Sequence, residues 1–363
     1  MIAYINVSVR GEDMMNDSRN GSMNRPMNDS KETAASAVSY TAPSTVSATE
    51  YNKRNIFIGT TLIIIGLLWL FTLVSEPIQK AYAAANEFFW VSTNERAIAT
   101  DQIAAEAAVV LDIQSDEVLF YKNDKMKLPP ASTTKMMTAM LALEEIELNQ
   151  RVVVGPEVNW VKLGESKAGL RPGQLLTWEE LIAAMMLPSG NDAARTIAVN
   201  IGMKYAEAGA TREEAYHTFV AKMNERVQEL GMYDTNFANP HGMDEYDHYS
   251  TAYDLATLAK EAMKDEWFRY IVKQEEFQLT EAAGNGNAQE IIRNRNQLLQ
   301  PESEYYYEGA IGIKTGFTDG AGYCLVSAAE QKDREIIVVV LHSTKEQVWT
   351  DSHSLLKYGF DIK

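Results

Sequence analysis

The side chains of Ser132 and Lys135, and the spacing between them, could support covalent chemistry. They lie three positions apart at the predicted start of a helix, so the lysine amine can reach the serine hydroxyl. A serine hydroxyl is a weak nucleophile until a base removes its proton, and a desolvated lysine near other cations can supply a neutral amine. The helix N-terminus would direct backbone N–H groups toward a developing oxyanion. Taken alone, the pattern is more typical of an N-cap serine followed by an exposed lysine.

Ser189-Gly190-Asn191 is a second polar motif, and it follows Leu187-Pro188. It falls between two predicted helices, in a loop of the kind that often presents functional side chains. A turn followed by an N-cap asparagine would explain the same residues.

Lys314-Thr315-Gly316 is the third motif, predicted at the end of an apolar strand that begins at Ala310. A strand edge can bind a peptide-like ligand as an additional strand, and glycine permits a close backbone approach. The lysine adds positive charge for a substrate carboxylate. An ordinary strand end is the alternative.

The elements that must position these motifs can be predicted from periodicity and turn residues. Ala107–Ile113 and Val118–Tyr121 are predicted to form a hairpin. Further strands are predicted at Ala310–Lys314, Gly322–Ala329 and Glu335–His342, and helices at Ser132–Leu148, Thr177–Met186, from Asp192, Arg212–Leu230, Ser250–Met263 and around Leu355–Tyr358. Strands at both ends with helices between them indicate an α+β domain in which the terminal strands share one sheet.

The composition excludes several kinds of chemistry. The chain has 363 residues with 50 acidic and 33 basic side chains, a formal net charge of −17. Nucleic-acid binding needs clustered basic residues, so a nucleic-acid partner is not expected. The lone cysteine, Cys324, permits neither an intrachain disulfide nor a Cys-cluster zinc site, and five histidines leave little for a metal site. These counts point away from metal and redox chemistry.

The N-terminal region contains a candidate membrane segment. Ile56–Val74 is uncharged and apolar, and its length matches the roughly 20 residues that span a bilayer. Lys53 and Arg54 precede it, which predicts a cytoplasmic N-terminus and an exported remainder. The alternative is a secretory signal cleaved near Ala83–Ala85.

The sequence thus divides into four predicted regions. Residues 1–54 form a polar tail without periodicity, which could not bury enough surface to fold. Residues 55–75 form the single transmembrane helix or signal segment, 76–98 a linker and 99–363 the catalytic domain.

Together, Ser-x-x-Lys, Ser-x-Asn and Lys-Thr-Gly in this order match the signature of penicillin-binding proteins and serine β-lactamases. From Glu106 to Phe360 the chain resembles low-molecular-weight penicillin-binding proteins that are serine-type D-alanyl-D-alanine carboxypeptidases. Beyond the three motifs, the resemblance rests on Pro130–Thr138, Leu187–Ala194, Asn239–Asp244, Asn294–Asn296 and Gly312–Thr318. It implies a penicillin-binding or serine β-lactamase-like domain, an antiparallel sheet with a helical cluster.

The resemblance implies roles for four residues in the reaction. Ser132 would attack the D-Ala–D-Ala peptide carbonyl and form an acyl-enzyme, with Lys135 as general base. Ser189 would relay a proton to the leaving D-alanine, and Asn191 would hold the substrate amide. The substrates would be peptidoglycan stem peptides, and β-lactam antibiotics would acylate the same serine. The resemblance also implies that no metal or cofactor is needed.

The strand motif would bind the substrate. Lys314 and Thr315 would lie near the terminal carboxylate, and Gly316 would allow close approach. The backbone N–H groups of Ser132 and Phe317 would form the oxyanion hole, and water would release the shortened peptide.

Two departures from the family pattern stand out. Many relatives carry a carboxylate-binding arginine after the last strand, where this chain has Val348, with Lys345 as a weak substitute. Many relatives also continue into a β-rich domain and an amphipathic anchor helix, whereas this sequence ends at Lys363, so attachment is expected through residues 56–74.

Other activities stay open beside the carboxypeptidase. A D,D-endopeptidase would use the same catalytic groups, and a catalytically silent cell-wall binding module is a further alternative. A β-lactamase is less favoured, because no Glu-x-x-Leu-Asn segment lies between Ser189 and Lys314.

Other prominent side chains are predicted to be structural. His241 is expected in a turn and His248 outside any metal site, while Cys324 is expected to be a small core residue. For Tyr305–Tyr307, loop packing is preferred over a glycan-stacking surface.

Overall fold

The structure is a computed structural model that describes residues 98–280 and 290–362. The predicted tail 1–54, the membrane segment 55–75 and, apart from Ile98, the linker 76–98 lie outside the described residues. Within the described ranges, no helix is long and apolar enough to cross a membrane.

The strands form one large antiparallel sheet and two small ones. In chain order the strands are β1 (Ala107–Asp112), β2 (Glu117–Lys122), β3 (Arg151–Val153), β4 (Leu175–Thr177), β5 (Glu276–Leu279), β6 (Glu290–Arg293), β7 (Ala310–Thr318), β8 (Gly322–Gln331) and β9 (Arg334–Ser343). The large sheet has the order β2-β1-β9-β8-β7, while β3 pairs with β4 and β5 with β6. The predicted hairpin and the predicted sharing of one sheet by the terminal strands are both confirmed.

Helices cover both faces of the large sheet. They are α1 (Lys135–Glu145), α2 (Trp178–Met186), α3 (Asn191–Gly202), α4 (Arg212–Glu229), α5 (Ala252–Ala262), α6 (Glu266–Lys273) and α7 (Gln347–Asp361). Alternate residues of β1 point to opposite faces, so Val109 packs with the helical cluster that contains Met136, whereas Val110 packs with Leu355 of α7. Each fully buried aliphatic side chain of this kind contributes about 1.5–3 kcal/mol. The result is the predicted α+β architecture.

Local signals account for several element boundaries. Thr177 accepts a hydrogen bond from the Glu180 backbone N–H, and the Glu180 carboxylate accepts one from the Thr177 N–H, so the predicted capping box opens α2. Thr211 and Glu214 form the same box at the start of α4.

Some elements differ from the prediction. The helix expected over 132–148 begins as a 3₁₀ helix, Ala131–Thr134, and its α-helical part ends at Glu145. The Lys-Thr-Gly motif lies within β7 rather than at its end, because pairing with β8 continues to Thr318 opposite Gly322. The two small sheets were not predicted, since strands of three or four residues carry too little periodicity. Helix α6 was not predicted either, although Asp265 caps it and Phe268, Ile271 and Val272 lie on its buried face at helical spacing.

Candidate active site

Lys135 lies at the centre of the site, and its side chain is fully buried. Its Nζ is 2.9 Å from Ser132 Oγ, 2.7 Å from Asn191 Oδ1 and 2.6 Å from the backbone oxygen of His241. A neutral amine has two N–H donors and one lone pair, so it can donate to the two carbonyl oxygens and accept the Ser132 hydroxyl proton. The exposed-lysine interpretation of Ser-x-x-Lys is therefore wrong for this chain.

The electrostatic surroundings favour that neutral amine. Burial lowers the pKa of Lys135 well below its usual value, and the positive charges of Lys314 and Arg195 lower it further. Arg295 acts in the same direction, whereas the Glu165 carboxylate raises the pKa of Lys135. A general base works best when its pKa lies near the operating pH, so these surroundings suit Lys135 to that role.

A tight turn supplies the His241 carbonyl. Asn239 Oδ1 accepts from the Gly242 N–H at 2.7 Å and from the His241 N–H at 3.3 Å. Gly242 has φ +88°, and a Cβ there would lie 1.8 Å from the Ala131 oxygen, so only glycine fits. The predicted turn is confirmed, and His241 contributes its backbone rather than its ring to Lys135.

The two buried histidine rings have structural partners. His241 Nδ1 accepts from the Met243 N–H, which leaves Nε2 to donate toward the Tyr216 hydroxyl at 3.3 Å. His248 Nδ1 accepts from Ala238 N–H at 2.9 Å, and Nε2 lies 2.9 Å from Oγ1 of Thr134, the residue before Lys135. In the part of the chain described, no cluster of potential metal ligands occurs.

The loop between α2 and α3 presents the second motif. Ser189 is buried, with φ +65°, a backbone conformation that is unusual for a non-glycine residue and often occurs at functional sites. Gly190 follows as the N-cap of α3, where a Cβ would lie 2.6 Å from the Ala184 oxygen. Asn191 is then the first residue of α3, and its amide spans from Lys135 to Glu165.

Strand β7 brings the third motif to the first. A Cβ on Gly316 would lie 3.0 Å from Ser132 N, so the strand backbone runs directly against the 3₁₀ helix Ala131–Thr134. Lys314 is buried, and its Nζ donates to the Thr315 oxygen at 2.9 Å. The Phe317 side chain is half-exposed and packs on Tyr323 with ring centroids 4.4 Å apart. Since β7 is an edge strand of the sheet, its free edge can pair with an extended peptide.

Lys314 also has a perturbed environment. Burial lowers the pKa of Lys314 to about 7, and the charge of Arg295 acts in the same direction. Arg295 lies just after β6, and its N–H donates to the Leu187 oxygen at 3.2 Å, beside the Ser189 loop. A bound carboxylate would stabilise the protonated form of Lys314.

Glu165 and Arg195 are site residues that the sequence motifs did not indicate. Glu165 lies in a polar loop, and Arg195 in α3, 30 residues further along the chain. The nearest sequence signal for Arg195 is its spacing of four from Asn191, which places both on one face of α3. No local pattern indicates Glu165.

Val348, which stands at the position of the family arginine, and Lys345, its weak substitute, differ in their surroundings. Val348 is buried in α7 and packs in the core on that side of the sheet, while Lys345 is exposed in the turn after β9. Neither residue contacts Lys314 or Thr315 through a hydrogen bond or ion pair among the described residues.

The structural predictions for Tyr305, Tyr307 and Cys324 are confirmed, whereas Tyr306 is exposed. Tyr305 stacks on Trp349 and Tyr307 is buried, so loop packing accounts for both. Cys324 is buried in β8, where burial raises the pKa of its thiol to about 12.

Comparisons with known proteins agree with this geometry. The sequence family described as D-alanyl-D-alanine carboxypeptidase matches residues 93–345. The D-alanyl-D-alanine carboxypeptidase DacF of Bacillus subtilis (strain 168) is 35% identical over 269 residues, covering 72% of this chain and 64% of that protein, which is less than two thirds of its length. DacB2 of Mycobacterium tuberculosis, with the same enzyme name, is 30% identical over 71% of this chain and 83% of its own. The crystal structure of the Streptomyces K15 DD-transpeptidase superposes with a TM-score of 0.67 at 32% identity, covering 73% of this chain and all of that one.

Proposed function

Because the chain belongs to the D-alanyl-D-alanine carboxypeptidase family, we propose that it removes the terminal D-alanine from peptidoglycan stem pentapeptides through an acyl-enzyme on Ser132. The observation that carries this proposal is the fully buried Lys135 amine, 2.9 Å from Ser132 Oγ and flanked by two carbonyl oxygens. A base in this position activates a serine without an adjacent histidine.

In the acylation step, Lys135 Nζ takes the proton of Ser132 Oγ while Oγ bonds to the carbonyl carbon of the penultimate D-alanine. Ser189 relays a proton to the amide nitrogen, the C–N bond breaks and free D-alanine leaves. The N–H groups of Ser132 and Phe317 stabilise the negative oxygen of the tetrahedral intermediate, a contribution worth about a hundredfold or more in rate for each donor. The close approach of Gly316 to Ser132 N supports this assignment.

The substrate would bind along the free edge of β7. Its terminal carboxylate would pair with Lys314 and Thr315, and the remaining N–H of the Asn191 amide would hold a substrate carbonyl. Gly316 supports this arrangement, because a side chain there would meet the catalytic helix.

The acceptor that releases the acyl group defines the activity. Water gives a carboxypeptidase, or an endopeptidase when the substrate is a cross-link, and an amine gives a transpeptidase. Transpeptidation is the second candidate activity, because the Streptomyces K15 structure carries the name DD-transpeptidase. Release of D-alanine from a synthetic pentapeptide, with and without an added amine acceptor, distinguishes hydrolysis from transfer, and purified cross-linked dimers test the endopeptidase.

Residues 55–75 would anchor the enzyme as a single transmembrane helix, with the catalytic domain outside the cytoplasmic membrane. The uncharged run Ile56–Val74 after Lys53 and Arg54 supports this orientation. The intact mass of membrane and secreted fractions tests it, because cleavage near Ala83–Ala85 would remove the segment.

The first experiment is the intact-protein mass before and after exposure to benzylpenicillin, for the wild type and Ser132→Ala. A lasting adduct that is lost in Ser132→Ala supports the proposal. A short-lived adduct with rapid drug hydrolysis would indicate a β-lactamase instead. Absence of any adduct in the wild type would contradict the acyl-enzyme and favour a silent binding module.

A further inference from the structure

The Glu165 carboxylate is buried near Lys135, and both of its oxygens accept hydrogen bonds. Its side chain is 3% exposed, and that of Arg195 is 6% exposed. Oε2 accepts from Arg195 NH1 at 2.8 Å and from Asn191 Nδ2 at 2.9 Å. Oε1 accepts from Arg195 NH2 at 3.2 Å and from the Lys162 N–H at 3.1 Å. The carboxylate is thus held in one orientation by a bidentate arginine.

This arrangement determines which way the Asn191 amide faces. An asparagine amide has a donor end and an acceptor end of nearly equal shape, and it can turn over unless its partners differ. An ionised carboxylate can only accept, so Asn191 must direct its NH₂ group to Glu165. Its oxygen then faces Lys135, at 2.7 Å from Nζ.

We propose that Glu165 is a positioning residue for the catalytic base, acting through Asn191: the Glu165–Arg195 pair fixes the amide so that its oxygen orients the Lys135 amine toward Ser132. This inference rests on the proposed acyl-enzyme function and extends it to a residue outside the three motifs.

Glu165 is not the principal anchor of its own loop, which makes the role separable. Asp192 Oδ1 and Oδ2 accept from the backbone N–H groups of Ala168, Gly169 and Leu170 at 2.8–3.0 Å. The loop therefore keeps a second attachment to α3 when Glu165 is changed.

The carboxylate of Glu165 is also a poor candidate for a base of its own. Burial raises its pKa, but the hydrogen bonds from Arg195 and Asn191 outweigh burial and lower the pKa of Glu165 below its usual value. Both oxygens are already occupied by donors, which leaves the group suited to orientation rather than proton transfer.

The test is the second-order rate of Ser132 acylation by benzylpenicillin as a function of pH, in the full chain and in Glu165→Gln. The glutamine side chain places an NH₂ group opposite a donor of Arg195 or Asn191. The Asn191 amide is then no longer held in one orientation. We expect the plateau rate to fall on the order of ten- to a hundredfold, as for a small misplacement of reacting groups.

The acid limb is the low-pH part of the same profile, where the acylation rate falls as Lys135 becomes protonated. Loss of fold stability alone would not change the pH at which this happens. The charged groups that shift the pKa of Lys135 are Lys314, Arg195, Arg295 and Glu165, and the rings of His241 and His248, whose pKa values are lowered by burial, also lie beside it. Of the four charged groups, Glu165 alone raises the pKa of Lys135, so its neutralisation lets that pKa fall. We expect the acid limb of Glu165→Gln to move to lower pH.

Glu157→Gln is the matched control. Glu157 is likewise buried and pairs with Arg212 NH1 at 2.8 Å, but its carboxylate does not contact Asn191. It should lower Tm while leaving the plateau rate and the acid limb at wild-type values.

If Glu165→Gln does not fold, Arg195→Lys keeps the net charge but removes the bidentate contact, and it should also lower the plateau rate. Wild-type acylation combined with an unchanged profile in the folded variant would overturn the inference. Lack of acylation in the wild type would instead overturn the proposed function.

Discussion

Replacement of Gly316 by alanine should impair acylation specifically, because β7 approaches Ser132 more closely than a side chain allows. An added Cβ would lie 2.9 Å from Ala131 Cβ and 3.0 Å from Ser132 N. Carbon atoms in ordinary contact are about 3.5–4.0 Å apart, so the strand and the 3₁₀ helix must separate by about 0.5–1 Å. No backbone strain is involved, since Gly316 is not among the residues with positive φ.

The two expected magnitudes follow from that separation. Overpacking of this kind costs about 1–3 kcal/mol of stability, and each kcal/mol lowers Tm by about 2–4 °C in a domain of this size. The same displacement moves Ser132 N and the N–H of residue 317 apart, and a misplacement of about 1 Å can cost about a hundredfold in rate. Acylation by a fluorescent penicillin, with Tm from circular dichroism, measures both effects.

Gly359→Ala provides the comparison. Its Cβ would lie 2.8 Å from Ile336 Cγ2 and 3.1 Å from Val110 Cγ1, an equally close contact on the opposite face of the sheet. It should lose similar stability and keep the wild-type acylation rate. If Gly316→Ala acylates at the wild-type rate while losing as much stability as Gly359→Ala, close approach of β7 is not required for catalysis.

Two further predictions follow from the buried titratable groups. Lys314→Met removes a positive charge that lowers the pKa of Lys135, so the acid limb of the acylation profile should move to higher pH. Carboxylate substrates should also bind more weakly. An acid limb at the wild-type pH would contradict the electrostatic effect of Lys314 on Lys135. Burial lowers the pKa of His248 to about 4, below its unfolded value of about 6.5, so the folded state holds the ring neutral and loses stability as the pH falls from 6.5 to 4. His248→Gln should reduce the stability difference between pH 7 and pH 4.5 by about 2–3 kcal/mol in urea unfolding, and an equal pH dependence in both proteins would refute the assignment.

Local patterns predicted much of the scaffold. The capping box at Thr177, the hairpin at 107–121 and the closing strands depend on neighbouring residues, and these predictions are confirmed. Strand β5 is only four residues long, which is too short for a local period to reveal it. Helix α6 was missed although its sequence carries a signal, since Asp265 caps it and its buried residues Phe268, Ile271 and Val272 follow a helical spacing.

The site was predictable where chemistry and spacing coincide. Ser132 and Lys135 are neighbours on one helix, and their pairing followed from a spacing of three. The burial of Lys135 was not predictable, because it depends on the His241 turn and on Asn191, 106 and 56 residues away. Glu165 was missed for the same reason, since its partners Asn191 and Arg195 lie in another element.

The order of the large sheet has a consequence for the timing of folding. Strand β1 lies between β2 and β9, and β7, which brings Gly316 to Ser132, is separated from the nucleophile by more than 180 residues of chain. Long-range pairings of this kind form slowly, because the cost of closing large loops comes first. In an unfolded chain Lys135 is hydrated and protonated at neutral pH, with the ordinary pKa of a lysine. Its lowered pKa is therefore a property of the assembled domain, because it depends on burial and on the charge of Lys314 in β7.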